Sequence, residues 1–252
     1  MAELLIYLMV DVVAASITAT LVAPLITAFD EAITRSASGE NLWAALGQRI
    51  GSIILKPANF FTSTAFLWMF FVYAATYTAS NSFKSLTAAV ELPAAMASSV
   101  VTLLTALVNT TCGIAKDAAY AKMFGTKSSK DGAQPKIPPL AYATWFLRDL
   151  TAFAFILSLP PIIAAQLSIN EGVAKFSTPI LAQYFTTPLH VLGVNMCNMP
   201  GARFSAQLAA VRTGFFSTVT ARQLRIIPPY SIGGVVNSQL LSFAPFVLAT
   251  IK

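Results

Sequence analysis

The chain has 252 residues, of which 56% are hydrophobic and 10% charged, with a mean hydropathy of +0.69. A soluble domain carries roughly 25% charged residues, so this composition excludes an ordinary water-soluble globular fold and predicts an all-α integral membrane protein. The formal net charge of +6 comes without a basic run or interleaved basic and aromatic residues, which excludes a nucleic-acid partner.

Six charge-poor runs reach or exceed the roughly 17–25 residues that cross a bilayer as a helix. The first, 12–29, can start as early as Leu4 with Asp11 inside it. The preceding "MAELLIYLMVDVVAA" has Glu3 where a signal peptide needs a basic region, so uncleaved insertion is expected. The second run, 57–83, holds "FLWMFFVYAATY" (66–77), which reads as lipid-facing or packing surface. The third, 92–115, is followed by Lys116-Asp117, expected to end its helix at the interface. The segment "TKSSKDGAQPKIPP" (126–139) is the clearest loop. The fourth run is 150–170, the fifth 176–202 with His190 as its one interruption, and the sixth 226–251. Cys112 and Cys197 lie within apolar runs and read as small buried hydrophobes. With one histidine there is no metal-ligand spacing, and no nucleophile–base set, phosphate-cradling loop or paired carboxylates. No metal, no cofactor and no enzymatic activity are expected.

Charge orients these runs. Segment 30–56 is balanced, 116–147 carries net +3, and 203–225 carries Arg203, Arg212, Arg222 and Arg225 with no acid. The short connections 84–91 and 171–175 hold one charge of each sign. The three long connections therefore share one face, the cytosol-like or matrix side by the positive-inside bias, with both termini on the other.

Long and short connections alternate, which predicts a helix pair repeated three times (about 1–84, 85–170 and 171–252) around a pseudo-threefold axis within a single transmembrane domain. "VAPLITAF" (22–29), "NTTCGIAK" (109–116) and "TTPLHVLGV" (186–194) put Pro24, Thr111 and Pro188 in register, at separations of 87 and 77 residues. Forty residues on stand Thr64, Thr151 and Pro228. A proline inside a helix removes one hydrogen bond and kinks it.

Three helix pairs with a proline near one end of each odd helix resemble the mitochondrial carrier family, whose motif there is Pro-x-Asp/Glu-x-x-Lys/Arg. Here the three positions read Pro24-Leu-Ile-Thr-Ala-Phe29, Thr111-Cys-Gly-Ile-Ala-Lys116 and Pro188-Leu-His190-Val-Leu-Gly193. "GFFSTVTARQLRIIPPYSIGG" (214–234) and "FLRDLTAFAF" (146–155) resemble the family's even-helix pattern. The resemblance implies the mitochondrial inner membrane, with both termini in the intermembrane space, and makes Pro24, Thr111, Lys116, Pro188 and His190 the kink and gate positions. The family's acidic positions hold Ile26, Gly113 and His190, and its basic positions Phe29, Lys116 and Gly193, so its salt-bridge ring cannot form.

Arg148 and Asp149 stand just before Thr151, and Arg225 three residues before Pro228. The resemblance makes these three the substrate contacts. An arginine fork donates to two carboxylate oxygens at once, and a charge at membrane depth marks function. The competing reading puts both arginines at helix ends, snorkelling to the interface. His190 fits either a proton relay, since imidazole titrates near neutral pH, or a neutral hydrogen-bonded ring.

Two functions follow. One is a divergent carrier of a small anionic or zwitterionic metabolite. The other is a non-transporting subunit of a larger mitochondrial inner-membrane complex, favoured by the missing gate charges.

Overall fold

A computed structural model describes residues 2–125, 137–157 and 159–251, all of whose regular structure is helical. The expected loop at 126–139 lies, over 126–136, outside the described residues. The helices are α1 (Ala2–Ala37), α2 (Leu42–Leu55), α3 (Pro57–Phe61), α4 (Thr64–Ala89), α5 (Ala94–Phe124), α6 (Pro139–Leu157), α7 (Leu159–Leu167), α8 (Glu171–Asn198), α9 (Phe204–Thr213) and α10 (Phe215–Pro228). A π-helical turn, Pro229–Gly233, then leads into α11 (Gly234–Ser242) and α12 (Ala244–Ile251).

Among the described residues, four helical stretches are long and apolar enough to cross a membrane: Glu3–Ala37, Ala94–Phe124, Pro139–Leu167 and Phe215–Ala249. The protein is therefore a multi-pass membrane protein that requires a lipid bilayer around it. α4 and α8, with 26 and 28 residues, have the length but more polar content. Hydroxyl residues are accommodated locally. Ser16, Thr20, Thr27 and Thr34 each donate to the carbonyl four residues earlier, at 2.7–2.8 Å, so these four hydroxyls are satisfied within their own helix.

The helices depart from the expected spans in consistent ways. The second run is broken at Thr62 and Ser63, because Ser63 is extended and its Oγ accepts the Phe66 N–H as an N-cap. α5 does not end at Lys116-Asp117. It continues to Phe124 with both residues buried, a correction explained by the ion pair that neutralises Asp117. α6 and α10 likewise start 11 residues before the apolar runs drawn at 150 and 226, so their arginines lie inside helices.

The chain divides into two compact units. The first comprises Met1–Thr27, Lys56–Lys116 and Ile227–Lys252. Ala15, Ala19, Val22, Ala23 and Ile26 of α1 are buried in it, as are Phe60, Phe66, Met69 and Val72. Tyr77 Oη donates to the Pro229 carbonyl at 2.9 Å, the same oxygen that accepts from the Gly234 N–H in the π-helical turn. Gly233 faces the Tyr77 ring, where a Cβ would collide with it.

The second unit comprises Ala28–Leu55 and Asp117–Ile226. α2 packs Ala45 and Leu46 on Ala28 and Ala32 of α1, with Phe29, Ile50 and Ile53 at the edge. α6 runs along α8. Their approach depends on Gly193, where any Cβ would strike the indole of the fully buried Trp145.

Candidate functional site

The second unit holds a cluster of charged side chains carried by five helices. α5 supplies Asp117, α6 Arg148 and Asp149, α8 Gln183 and His190, α10 Arg222 and Arg225, and α1 Asp30. Charges inside apolar helices are costly unless paired, because desolvation costs several kcal/mol per ion.

Arg148 meets Asp117, Asp149 and His190. Its Nη1 pairs with Asp117 Oδ2, and its Nε donates to Asp149 Oδ1 at 2.7 Å. His190 Nδ1 lies 2.9 Å from the same Nη1. A guanidinium can only donate, so the imidazole accepts on Nδ1. That geometry fits the neutral, hydrogen-bonded reading of His190. Trp145 Nε1 donates to the His190 carbonyl at 3.4 Å, tying the two helices at the same level. A second pair joins Arg225 Nη1 of α10 to Asp30 Oδ1 of α1.

Arg222 differs from both. It is 4% exposed, and its Nε donates to Gln183 Oε1 at 3.0 Å. The Gln183 carboxamide is held in turn, donating from Nε2 to the Pro179 carbonyl at 3.0 Å and accepting from Thr186 Oγ1 at 3.3 Å. Arg225, Arg148, Asp30 and Asp117 all lie within electrostatic reach of Arg222. Both of those aspartates already hold another arginine, and among the described residues Arg222 has no acid in an ion pair. Three arginines (148, 222 and 225) thus meet three carboxylates (Asp30, Asp117 and Asp149), and the carboxylates are in contact with Arg148 and Arg225 rather than Arg222. On α8, the hydroxyls of Thr178 and Thr187 are also buried without a hydrogen-bond partner.

The expected substrate contacts therefore fall close together in the fold. Arg148 is buried rather than snorkelling, Asp149 is half-buried against it, and Arg225 is held by Asp30. Of the expected kink and gate residues, Pro24, Thr111 and Lys116 belong to the first unit, Pro188 and His190 to the second. Pro24 and Pro188 lie inside α1 and α8. Thr111 is exposed and bonds its own helix at the Leu107 carbonyl, whereas Lys116 is buried. Sequence reasoning missed Asp30, Asp117, Gln183 and Arg222. A signal existed for two of them: Asp30 and Asp117 are 87 residues apart, the separation of Pro24 and Thr111.

Charged side chains buried among the helices of a multi-pass bundle mark a functional site at membrane depth, as in transporters of small polar solutes. A family model described as a probable citrulline exporter matches residues 14–242, and the chain belongs to that family. Comparison with curated proteins and with solved structures gives no match. The family match corrects the resemblance to mitochondrial carriers, since no carrier-family model matches. That resemblance rested on recurring kinks and helix pairs, which many bundles share, while one of six motif charges was present. The mitochondrial placement, and with it the intermembrane space as the compartment of the termini, rested on that resemblance and loses its support.

Proposed function

We propose that the protein exports a zwitterionic amino acid of the citrulline type, with Arg222 as the anchor for its α-carboxylate. The observation carrying this reading is the buried Arg222 guanidinium, oriented by Gln183 yet lacking an acid. A carboxylate would supply two charge-assisted hydrogen bonds in the fork geometry that arginine offers. Asp30 and Asp117, both within reach of Arg222, would give the substrate ammonium its counter-charge. The unpartnered Thr178 and Thr187 hydroxyls suit a side chain that both donates and accepts hydrogen bonds, as a ureido group does. In this reading α4 and α8 are also membrane crossings, making six.

The test is thermal unfolding of purified full-length protein with citrulline and a panel of amino acids. Citrulline should raise the melting temperature, and Arg222→Gln should abolish that response. A flat response to the whole panel, with elution only alongside partner subunits, would overturn the reading in favour of a structural subunit.

A further inference from the structure

The first unit carries a buried carboxyl group outside the site above. Asp11, within the apolar stretch of α1, is 3% exposed. Every other buried carboxylate described has an arginine in direct contact: Asp30 holds Arg225, Asp117 holds Arg148, and Glu31 holds Arg35 and Arg49. Asp11 has instead a hydroxyl, Ser85 Oγ of α4, at 2.7 Å from Oδ2.

The surroundings are otherwise neutral. Asn81 Nδ2 donates to the Asp11 backbone carbonyl at 3.4 Å and to Asn237 Oδ1 at 2.9 Å, and Asn237 Nδ2 returns a bond to Asn81 Oδ1 at 2.9 Å. On α4 the charged group in electrostatic reach is Lys84, which is exposed. α11 and α12 contain no titratable residue. Tyr7 and Glu3 lie one and two turns before Asp11 on α1.

We infer that Asp11 is a proton-binding site through which export is coupled to proton movement, an inference that rests on the exporter reading. A carboxylate locked to an arginine resists protonation, because the guanidinium would be left buried and unpaired. A serine hydroxyl serves both states: it donates to the carboxylate and accepts from the carboxylic acid. The amide pair beside it is unaffected by either state. In each cycle a proton from one compartment forms the O–H bond on the Asp11 carboxyl, and that bond breaks toward the other compartment. A zwitterion has no net charge, so a membrane potential alone cannot drive its accumulation. A titrating carboxyl supplies the missing coupling.

The experiment uses full-length protein in liposomes. Citrulline–citrulline exchange at equal pH reports transport itself. Accumulation under an imposed pH gradient reports coupling, with a limit of about tenfold per pH unit for one proton per substrate. Wild type should do both, whereas Asp11→Asn should keep exchange and lose the gradient-driven accumulation. Asparagine preserves the shape and can still accept from Ser85. Gradient-driven accumulation by Asp11→Asn, or a wild type that exchanges with no response to the gradient, overturns the inference. Absence of exchange in wild type overturns the exporter reading instead. Independently of transport, infrared titration should reveal a protonated-carboxyl band that is missing from Asp11→Asn. An unchanged band in that variant overturns the assignment of Asp11.

Discussion

Arg148 of α6 and Asp117 of α5 form an ion pair with side chains only 9% and 2% exposed. Breaking a buried pair from one side costs about 3–5 kcal/mol, and Asp149, which also holds Arg148, offsets only part of that loss. Asp117→Asn should therefore lower the melting temperature sharply. Replacing both partners with apolar residues of similar volume should recover most of that loss. A double-mutant cycle on purified protein checks both halves of the expectation.

Arg222 should behave in the opposite way. It is buried with a glutamine as its hydrogen-bonding partner, so folding gains little from its charge and bears its desolvation. Arg222→Met should leave the ligand-free melting temperature unchanged or raised. Wild type at 100 times the dissociation constant of citrulline should gain about 2.7 kcal/mol, and the variant nothing. Calorimetric unfolding with and without citrulline separates these outcomes.

The crossing of α6 and α8 should be intolerant of side-chain volume at Gly193. A Cβ there meets the Trp145 indole, and that indole also donates to the His190 carbonyl. Overpacking a tight site costs typically about 1–3 kcal/mol. Gly193→Ala should be less stable than wild type, and Trp145→Phe in the same chain should restore part of the loss. Thermal unfolding of the three variants decides it.

In the first unit, the reciprocal Asn81–Asn237 pair should be coupled. Asn81→Ala strands the Asn237 amide, at a cost of about 1–3 kcal/mol. Changing both to leucine should cost less than the sum of the single changes, as measured by denaturant unfolding in a fixed detergent.

Much of this fold is legible in the sequence. Charge-poor runs locate the long helices, and the 77-residue spacing that relates Thr111 to Pro188 also relates Arg148 to Arg225. What the runs conceal is their ends. Hydropathy assigns a charge to the outside because pairing is invisible to it, so Lys116-Asp117 read as a boundary and Arg222 as a loop charge. Tertiary pairing reverses both: Asp117 is neutralised by Arg148, and Arg222 is drawn inside by Gln183, a partner 39 residues away. The break at Thr62–Ser63 escapes notice for a different reason. An N-capping serine in an apolar run looks like any other small residue until its backbone turns extended. The resemblance to carriers shows the same limit, since kinks and repeats constrain architecture more than identity.

In the proposed exporter, the buried Arg222 holds the substrate carboxylate. Efflux of radiolabelled citrulline from liposomes containing wild-type or Arg222→Gln protein, beside citrulline amide as a competitor without a carboxylate, tests it most directly. Wild type should show efflux that unlabelled citrulline competes and the amide does not, and Arg222→Gln should show efflux at the protein-free rate. Undiminished efflux by Arg222→Gln, or equal competition by the amide, would contradict that role of Arg222.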